Sequence, residues 1–293
     1  MVVITGANSI LGYELAKFLS QKSFKVIGTF RNKNTKTEKL RKIPEINLIK
    51  IDLSNRNRVN KDFPDGEVLI HTVASHGENL SQLISSNIIC SENVSKKASN
   101  LSFKKIIYIS SISIYGSISN GIIDRNTPIN NPSIYGLTKY LGELCFKKNF
   151  INTPCVVLRL PAILARGSVR HFLSQVLANA KKDEPINAYN PNALFNNAVD
   201  INYLCTVITK IINSKWIGFK AFPIGCSEPI LIKEVINIII KALDSKSKVN
   251  YFDKREKGFI IDFLESEKFF QNSSISTTDA LRMFVNNNHD HML

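Results

Sequence analysis

A chain of 293 residues is too long for one small core and suits a large α/β domain carrying a smaller lobe. Its 38 Lys and Arg against 24 Asp and Glu leave a net charge of +14, but the lysines are spread along the chain, and the densest basic stretch, 32–42, has no aromatic residue to stack bases, so nucleic acid is not the expected partner. No apolar run reaches membrane-spanning length, Met1 leads straight into an apolar strand without a signal-peptide pattern, and five scattered cysteines form no metal or redox motif, so the expectation is a cytoplasmic, metal-free protein with reduced cysteines.

The chain opens with a β-branched strand at 2–5. A glycine turn follows, Gly6-Ala-Asn-Ser9-Ile-Leu-Gly12, and then a helix whose Leu11, Leu15, Phe18 and Leu19 share a face. With a second strand at 25–30, this is the βαβ unit that receives a dinucleotide. Gly6 allows the tight turn and Gly12 lets helix and strand pack closely, while the helix N-terminus offers backbone N–H groups to a pyrophosphate. Ser9 stands at the middle glycine of the usual fingerprint. The second strand ends in Gly28-Thr-Phe-Arg31-Asn-Lys33, without the carboxylate that accepts hydrogen bonds from a ribose 2′-OH. Arg31 suits a 2′-phosphate, with Lys33 adding charge, so NADP(H) is expected ahead of NAD(H).

Further Val- and Ile-rich strands are expected at 47–51, 68–73, 105–110 and 155–160. A helix from Leu80 to Ala98 carries Leu83, Ile84, Ile88, Val94 and Ala98 as apolar positions. The fifth strand ends in hydroxyls, Ser110-Ser111-Ile-Ser113-Ile-Tyr115-Gly116, and Tyr135-Gly-Leu-Thr-Lys139 lies on the helix after it. That spacing puts a phenol and an ammonium on one helix face. A fixed positive charge favours a phenolate, so Lys139 is expected to lower the pKa of Tyr135 from its usual value of about 10. Strand and helix alternate to about 165; from Gly167 the pattern is helical through 181, 195–212 and 219–224 return to the first domain, and 232–243 form an apolar helix. The predicted fold is an α/β doubly wound parallel sheet of the Rossmann type over 1–165 with 195–224, plus a smaller lobe of 166–194 and 225–293.

These segments, in this order and continued by Asp52-Leu53, Val68–Ala74, Leu158-Arg-Leu-Pro161 and 195–202, resemble the extended short-chain dehydrogenase/reductase family, in particular its nucleotide-sugar epimerases, dehydratases and reductases. The resemblance implies that Tyr135 is the acid/base, exchanging a proton with a sugar hydroxyl or carbonyl while a nicotinamide exchanges hydride at the same carbon. It implies further that Ser111 hydrogen-bonds the reacting oxygen, with Ser113 as a second contact, and that Lys139 reaches the nicotinamide ribose. Gly6, Asn8, Ser9, Ile10, Leu11, Gly12, Val73, Ala74 and Pro161 would line the dinucleotide, with Asp52 and Leu53 at its adenine.

Three departures from the family's pattern bear on the substrate, the domain junction and the reaction. Pro161-Ala162 replaces the asparagine that helps hold substrate after the sixth strand; Arg166, Arg170 and Arg255 are the expected diphosphate ligands instead. Asp200 and Asn202 stand where the family has His and Asp, and Ile112-Ser113 replaces the Asp-Glu pair of dehydratases. The leading expectation is an epimerase or keto-reductase of a nucleoside-diphosphate sugar using NADP or NAD. An NADP-dependent reductase of a non-nucleotide carbonyl is the alternative. A non-catalytic dinucleotide-binding regulator is the third reading, against which the joint presence of Ser111, Tyr135 and Lys139 argues. A homodimer is expected through the helix after Ile84 and the helix bearing Tyr135.

Overall fold

The computed structural model describes residues 1–118, 121–169, 171–253, 258–271 and 273–289. In chain order the elements are β1 (Val2–Thr5), α1 (Ile10–Gln21), β2 (Val26–Phe30), α2 (Thr35–Leu40), β3 (Ile46–Lys50), α3 (Arg56–Asp62), β4 (Val68–His71), α4 (Leu80–Leu83), a π-helical turn (Ile84–Ile89), α5 (Cys90–Ala98), β5 (Lys105–Ser111) and a 3₁₀ turn (Ile112–Tyr115). Then come β6 (Ile122–Ile123), α6 (Ile134–Asn149), β7 (Cys155–Leu160), β8 (Ala162–Leu164), α7 (Phe172–Lys181), β9 (Ile186–Tyr189), β10 (Leu194–Phe195), β11 (Ala198–Asp200) and α8 (Ile201–Asn213). The chain closes with β12 (Phe219–Pro223), β13 (Ile230–Leu231), α9 (Ile232–Ala242), β14 (Val249–Phe252), β15 (Ile260–Ile261), α10 (Leu264–Phe270) and α11 (Thr277–His289).

The chain divides into two units, and the first comprises 1–117, 128–159 and 205–222. It holds the seven-stranded sheet, ordered β12-β7-β5-β4-β1-β2-β3, and β1 pairs in parallel with β2 on one side and β4 on the other. The strand order therefore reverses beside β1, and in open α/β sheets ligands bind at such a switch point, outside the carboxyl ends of the strands. All four residues of both β1 and β4 are buried, as expected for strands covered on both faces. Leu11, Leu15 and Leu19 of α1 are buried against the sheet, while Phe18 is half-buried. Val59, Val94, Phe103, Ile106, Tyr108, Phe146 and Val157 belong to one core in this unit.

The second unit comprises 118–127, 160–204 and 223–293. It is built from two-stranded pairs, β8 with β11, β9 with β14, β10 with β13 and β6 with β15. Leu173, Val176, Ile186, Val235, Ile239, Leu281 and Phe284 share its core. Asn196 stitches three segments of this unit: its side-chain NH2 donates to the carbonyls of Cys226 and Ile261, and its Oδ1 accepts from the Ile261 N–H at 2.8 Å.

Several boundaries differ from expectation for identifiable reasons. The segment that rejoins the first unit is 205–222, not 195–224, because β10 and β11 find their partners in the second unit. Residues 118–127 also leave the first unit, since β6 pairs with β15. The helix expected from 167 starts at Phe172: Gly167 has φ +77, a left-handed conformation, and His171 caps the new N-terminus by accepting from the Ser174 N–H. Leu80–Ala98 is helical throughout but contains the π turn.

Candidate active site

At the end of β1, Gly6 takes φ +71, and a Cβ there would lie 3.0 Å from Val73 Cγ2. A Cβ on Gly12 would fall 2.3 Å from the Gly6 carbonyl oxygen, so only glycine lets α1 press against the turn. Ser9 does not act as a substitute glycine. It is the N-cap of α1, its Oγ accepting from the Gly12 N–H at 2.9 Å. Asn8 ties this turn to the end of β2: its Nδ2 donates to the Asn32 carbonyl at 2.8 Å, and its own carbonyl accepts from Asn34 Nδ2 at 3.1 Å. Asn34 in turn caps α2, so Arg31 and Lys33, both exposed, sit in a loop fixed at both ends. Asp52, half-buried after β3, closes a turn by accepting from both the Ser54 N–H and its hydroxyl, and Leu53 beside it is buried.

The hydroxyl cluster gathers at the end of β5 in the same unit. Ser111 donates to Ser113 Oγ at 3.1 Å, and its own Oγ accepts from the Ser113 N–H at 3.2 Å. Gly136, beside Tyr135, brings α6 against this turn, for a Cβ there would meet the Ser113 carbonyl oxygen at 2.1 Å. Burial raises the pKa of the Tyr135 phenol, and a hydrogen bond with the Ser111 hydroxyl opposes that rise. Ser111 and Tyr135, inferred separately from the sequence, are therefore neighbours across the junction of α6 with the turn after β5.

Lys139 corrects the expectation. It is buried, and its ammonium donates to the Ile109 carbonyl at 2.8 Å and lies over the Tyr108 ring, 4.6 Å from its centroid. Burial pulls its pKa down to about 7, with Glu143 opposing. The shift at Tyr135 is set by burial and Ser111, not by this ammonium. A four-residue spacing fixes which face a side chain leaves from, not where a long flexible chain ends.

Three contributors escaped the sequence reading. Asn87, in the π turn, accepts from the Ser75 N–H at 2.8 Å through Oδ1, and its Nδ2 donates to the Ser75 carbonyl and to Thr138 Oγ1 at 3.1 and 3.0 Å. Thr138 donates onward to the Tyr135 carbonyl at 2.9 Å. His76 lies beside Tyr135, ring centroids 4.4 Å apart and Nε2 3.5 Å from the phenolic oxygen. In the sequence these are an asparagine and a threonine among many polar helix residues, and a histidine in the loop after a strand. Behind the site, Glu143 and Arg159 form a buried two-point ion pair at 3.2 and 2.9 Å, and Arg159 also donates to the Tyr115 hydroxyl at 3.1 Å.

Val73 is half-buried and Ala74 exposed after β4. In the second unit Pro161 is half-buried and Arg166 exposed, while Arg170 and Arg255 lie outside the described residues. Asp200 caps α8, its Oδ1 accepting from the backbone N–H groups of Asn202 and Tyr203.

A family model described as the NAD dependent epimerase/dehydratase family matches residues 2–196, more than half of the chain. The chain belongs to the NAD-dependent epimerase/dehydratase family. It is similar to Protein CapI of Staphylococcus aureus, 25% identical with 86% of each chain covered. Among solved structures, the UDP-glucuronic acid 4-epimerase of Bacillus cereus in complex with NAD superposes with a TM-score of 0.84 at 21% identity, covering 98% of this chain and 95% of the other. The Bordetella bronchiseptica enzyme WbmG in complex with NAD and UDP gives 0.84 at 17% identity, covering 97% and 94%. This member of the family is an enzyme built on the Rossmann-type sheet expected from its sequence. Among the described residues, no helix is long and apolar enough to cross a membrane.

Proposed function

We propose that this enzyme epimerises a nucleoside-diphosphate sugar with a nicotinamide dinucleotide. The observation that carries the reading is the seating of α6 by Gly136 on the turn that follows Ser111, which places Tyr135 beside the hydroxyl cluster in the unit whose β1 ends in the glycine turn. That turn suits a dinucleotide, because the space a Cβ of Gly12 would need is taken by backbone and Gly6 is left-handed. Gly6, Asn8, Ser9, Ile10, Leu11 and Gly12 would face the pyrophosphate, Asp52 and Leu53 the adenine, and Val73 and Ala74 the remainder. When bound, the nicotinamide supplies hydride exchange at the sugar carbon. Tyr135 moves the proton of the reacting hydroxyl, and Ser111, steadied by Ser113, hydrogen-bonds the same oxygen. Arg166 is the described candidate for the diphosphate. Support comes from the solved relatives, which hold NAD and in one case UDP.

Arg31 decides the cofactor in this reading. NADP should bind more tightly than NAD, and Arg31→Ala should erase the difference; an NAD preference untouched by the substitution would assign Arg31 to solvent. Leu80, Ile84 and Ile89 together with Ile134, Leu137, Leu141 and Leu144 of α6 expose apolar side chains, which supports a homodimer through these helices.

The deciding experiment measures turnover on a panel of nucleotide sugars alongside cofactor titration. Tyr135→Phe should abolish turnover with cofactor affinity nearly intact, whereas Lys139→Ala should damage both. Calorimetry showing no binding of UDP, dTDP, GDP or CDP to the cofactor-loaded enzyme would favour instead a reductase of a non-nucleotide carbonyl compound.

A further inference from the structure

The phenol of Tyr135 is half-buried, and the charged group expected beside it points elsewhere, with the Lys139 ammonium at the Ile109 carbonyl. The ring that does lie beside it belongs to His76, whose Nε2 is 3.5 Å from the phenolic oxygen and whose ring centroid is 4.4 Å away. Two features suggest that this pair is built. Asn87 clamps both backbone groups of Ser75, the residue before His76, and the same side chain bonds Thr138, whose hydroxyl holds the Tyr135 carbonyl. One buried amide thus fixes both partners from behind. His76 is itself exposed, so its imidazole is in reach of bulk water while the phenol is partly withdrawn from it.

We propose that His76 is the proton relay of Tyr135, carrying the phenolic proton between the active site and solvent. The neutral ring would carry its hydrogen on Nδ1. Nε2 takes the Tyr135 proton as the O–H bond breaks, the electron pair stays on the phenolate oxygen, and the imidazolium releases its Nδ1 proton to water. The phenolate then accepts the proton of the substrate hydroxyl, and the reverse sequence returns it. Burial raises the phenol's pKa, and an adjacent imidazolium offsets part of that cost. A separation of 3.5 Å is long for proton transfer, but catalytic hydrogen bonds commonly tighten once substrate is bound. Of the ionisable groups on the surrounding elements, Tyr135 faces His76 from α6, Lys139 one turn on is engaged by Ile109, and Glu78 on its own loop is exposed. His76 acts through Tyr135 and is a positioning residue, not one that touches the substrate.

The proposal rests on the epimerase reading for its turnover test and is independent of it in a titration. In full-length protein with ¹³C-labelled tyrosine and histidine, the His76 titration should shift in Tyr135→Phe, and the Tyr135 ring signal should shift as His76 titrates, a shift lost in His76→Gln. Failure of both shifts would overturn the relay even if no nucleotide sugar is ever turned over. With an identified nucleotide sugar, His76→Gln and His76→Ala should lower kcat roughly tenfold or more at neutral pH, leave KM and cofactor affinity nearly unchanged, and regain rate as pH rises. Added imidazole should restore turnover in His76→Ala. A kcat within twofold of the parent across the pH range, or a defect indifferent to both pH and imidazole, would refute the proposal.

Discussion

Gly136 and Ser113 meet backbone to side-chain position, with 2.1 Å between the Ser113 carbonyl oxygen and the point where a Cβ of Gly136 would sit. The start of α6 is therefore set against the 3₁₀ turn by the absence of a single methyl group, and the placing of Tyr135 beside Ser111 depends on it. Gly136→Ala should push the two apart. Overpacking of this kind costs about 1–3 kcal/mol, and a displacement of about 1 Å at reacting groups can cost roughly a hundredfold in rate. Turnover should fall far more than the melting temperature does. Equal turnover in the variant would mean that the helix can reseat without moving Tyr135.

The Glu143–Arg159 pair spans α6 and β7, with side chains 3% and 10% exposed, so its charges have little water to fall back on. Removing one partner of such a pair costs about 3–5 kcal/mol, because the other is left buried and uncompensated. Glu143→Ala should lose stability on that scale in urea unfolding. Glu143→Leu combined with Arg159→Met should recover much of it. If the single variant lost less than about 1 kcal/mol, the pair would be behaving like a surface ion pair.

His71 is fully buried, held between Thr5 Oγ1 at 2.9 Å and Ser91 Oγ at 3.4 Å and stacked on Tyr108. Burial, with a smaller contribution from the Lys139 charge, lowers its pKa to about 3 from a usual 6.5. The unfolded chain then binds the extra proton between those two values, so this contribution to stability is complete above pH 6.5 and declines as pH falls toward 3. The steepest loss is about 1.4 kcal/mol per pH unit. Denaturation followed between pH 7 and 4 should show it, and His71→Asn should flatten the slope. An unchanged slope would place the acid sensitivity in other groups.

Much of the architecture was legible in the residues. The β-branched runs became the strands of one sheet, Gly6 and Gly12 took the roles that a tight turn demands, and Ser111 and Tyr135 became neighbours although 24 positions separate them in the sequence. What escaped detection depends on tertiary placement. The direction of the Lys139 side chain is set by a carbonyl on β5 and a ring on the same strand, neither of which its helical spacing encodes. His76 and Asn87 are ordinary polar residues until β4 and α6 bring them to Tyr135. The division of the chain was misjudged between 195 and 204 because two-residue and three-residue strands such as β10 and β11 have no periodicity to read.

The position of β12 bears on how the molecule is made. This edge strand pairs with β7, yet residues 161–218 separate the two, so a ribosome releases β7 well before its neighbour exists. Until Phe219–Pro223 emerges, β7 presents an unpaired row of backbone groups flanked by Cys155, Val156 and Val157, the kind of open edge that recruits other chains. Newly made protein should therefore be most prone to aggregation, and most dependent on chaperones, during that interval. A ribosome-bound chain arrested before residue 219 should be captured by a chaperone that ignores one arrested after β12 has cleared the exit tunnel.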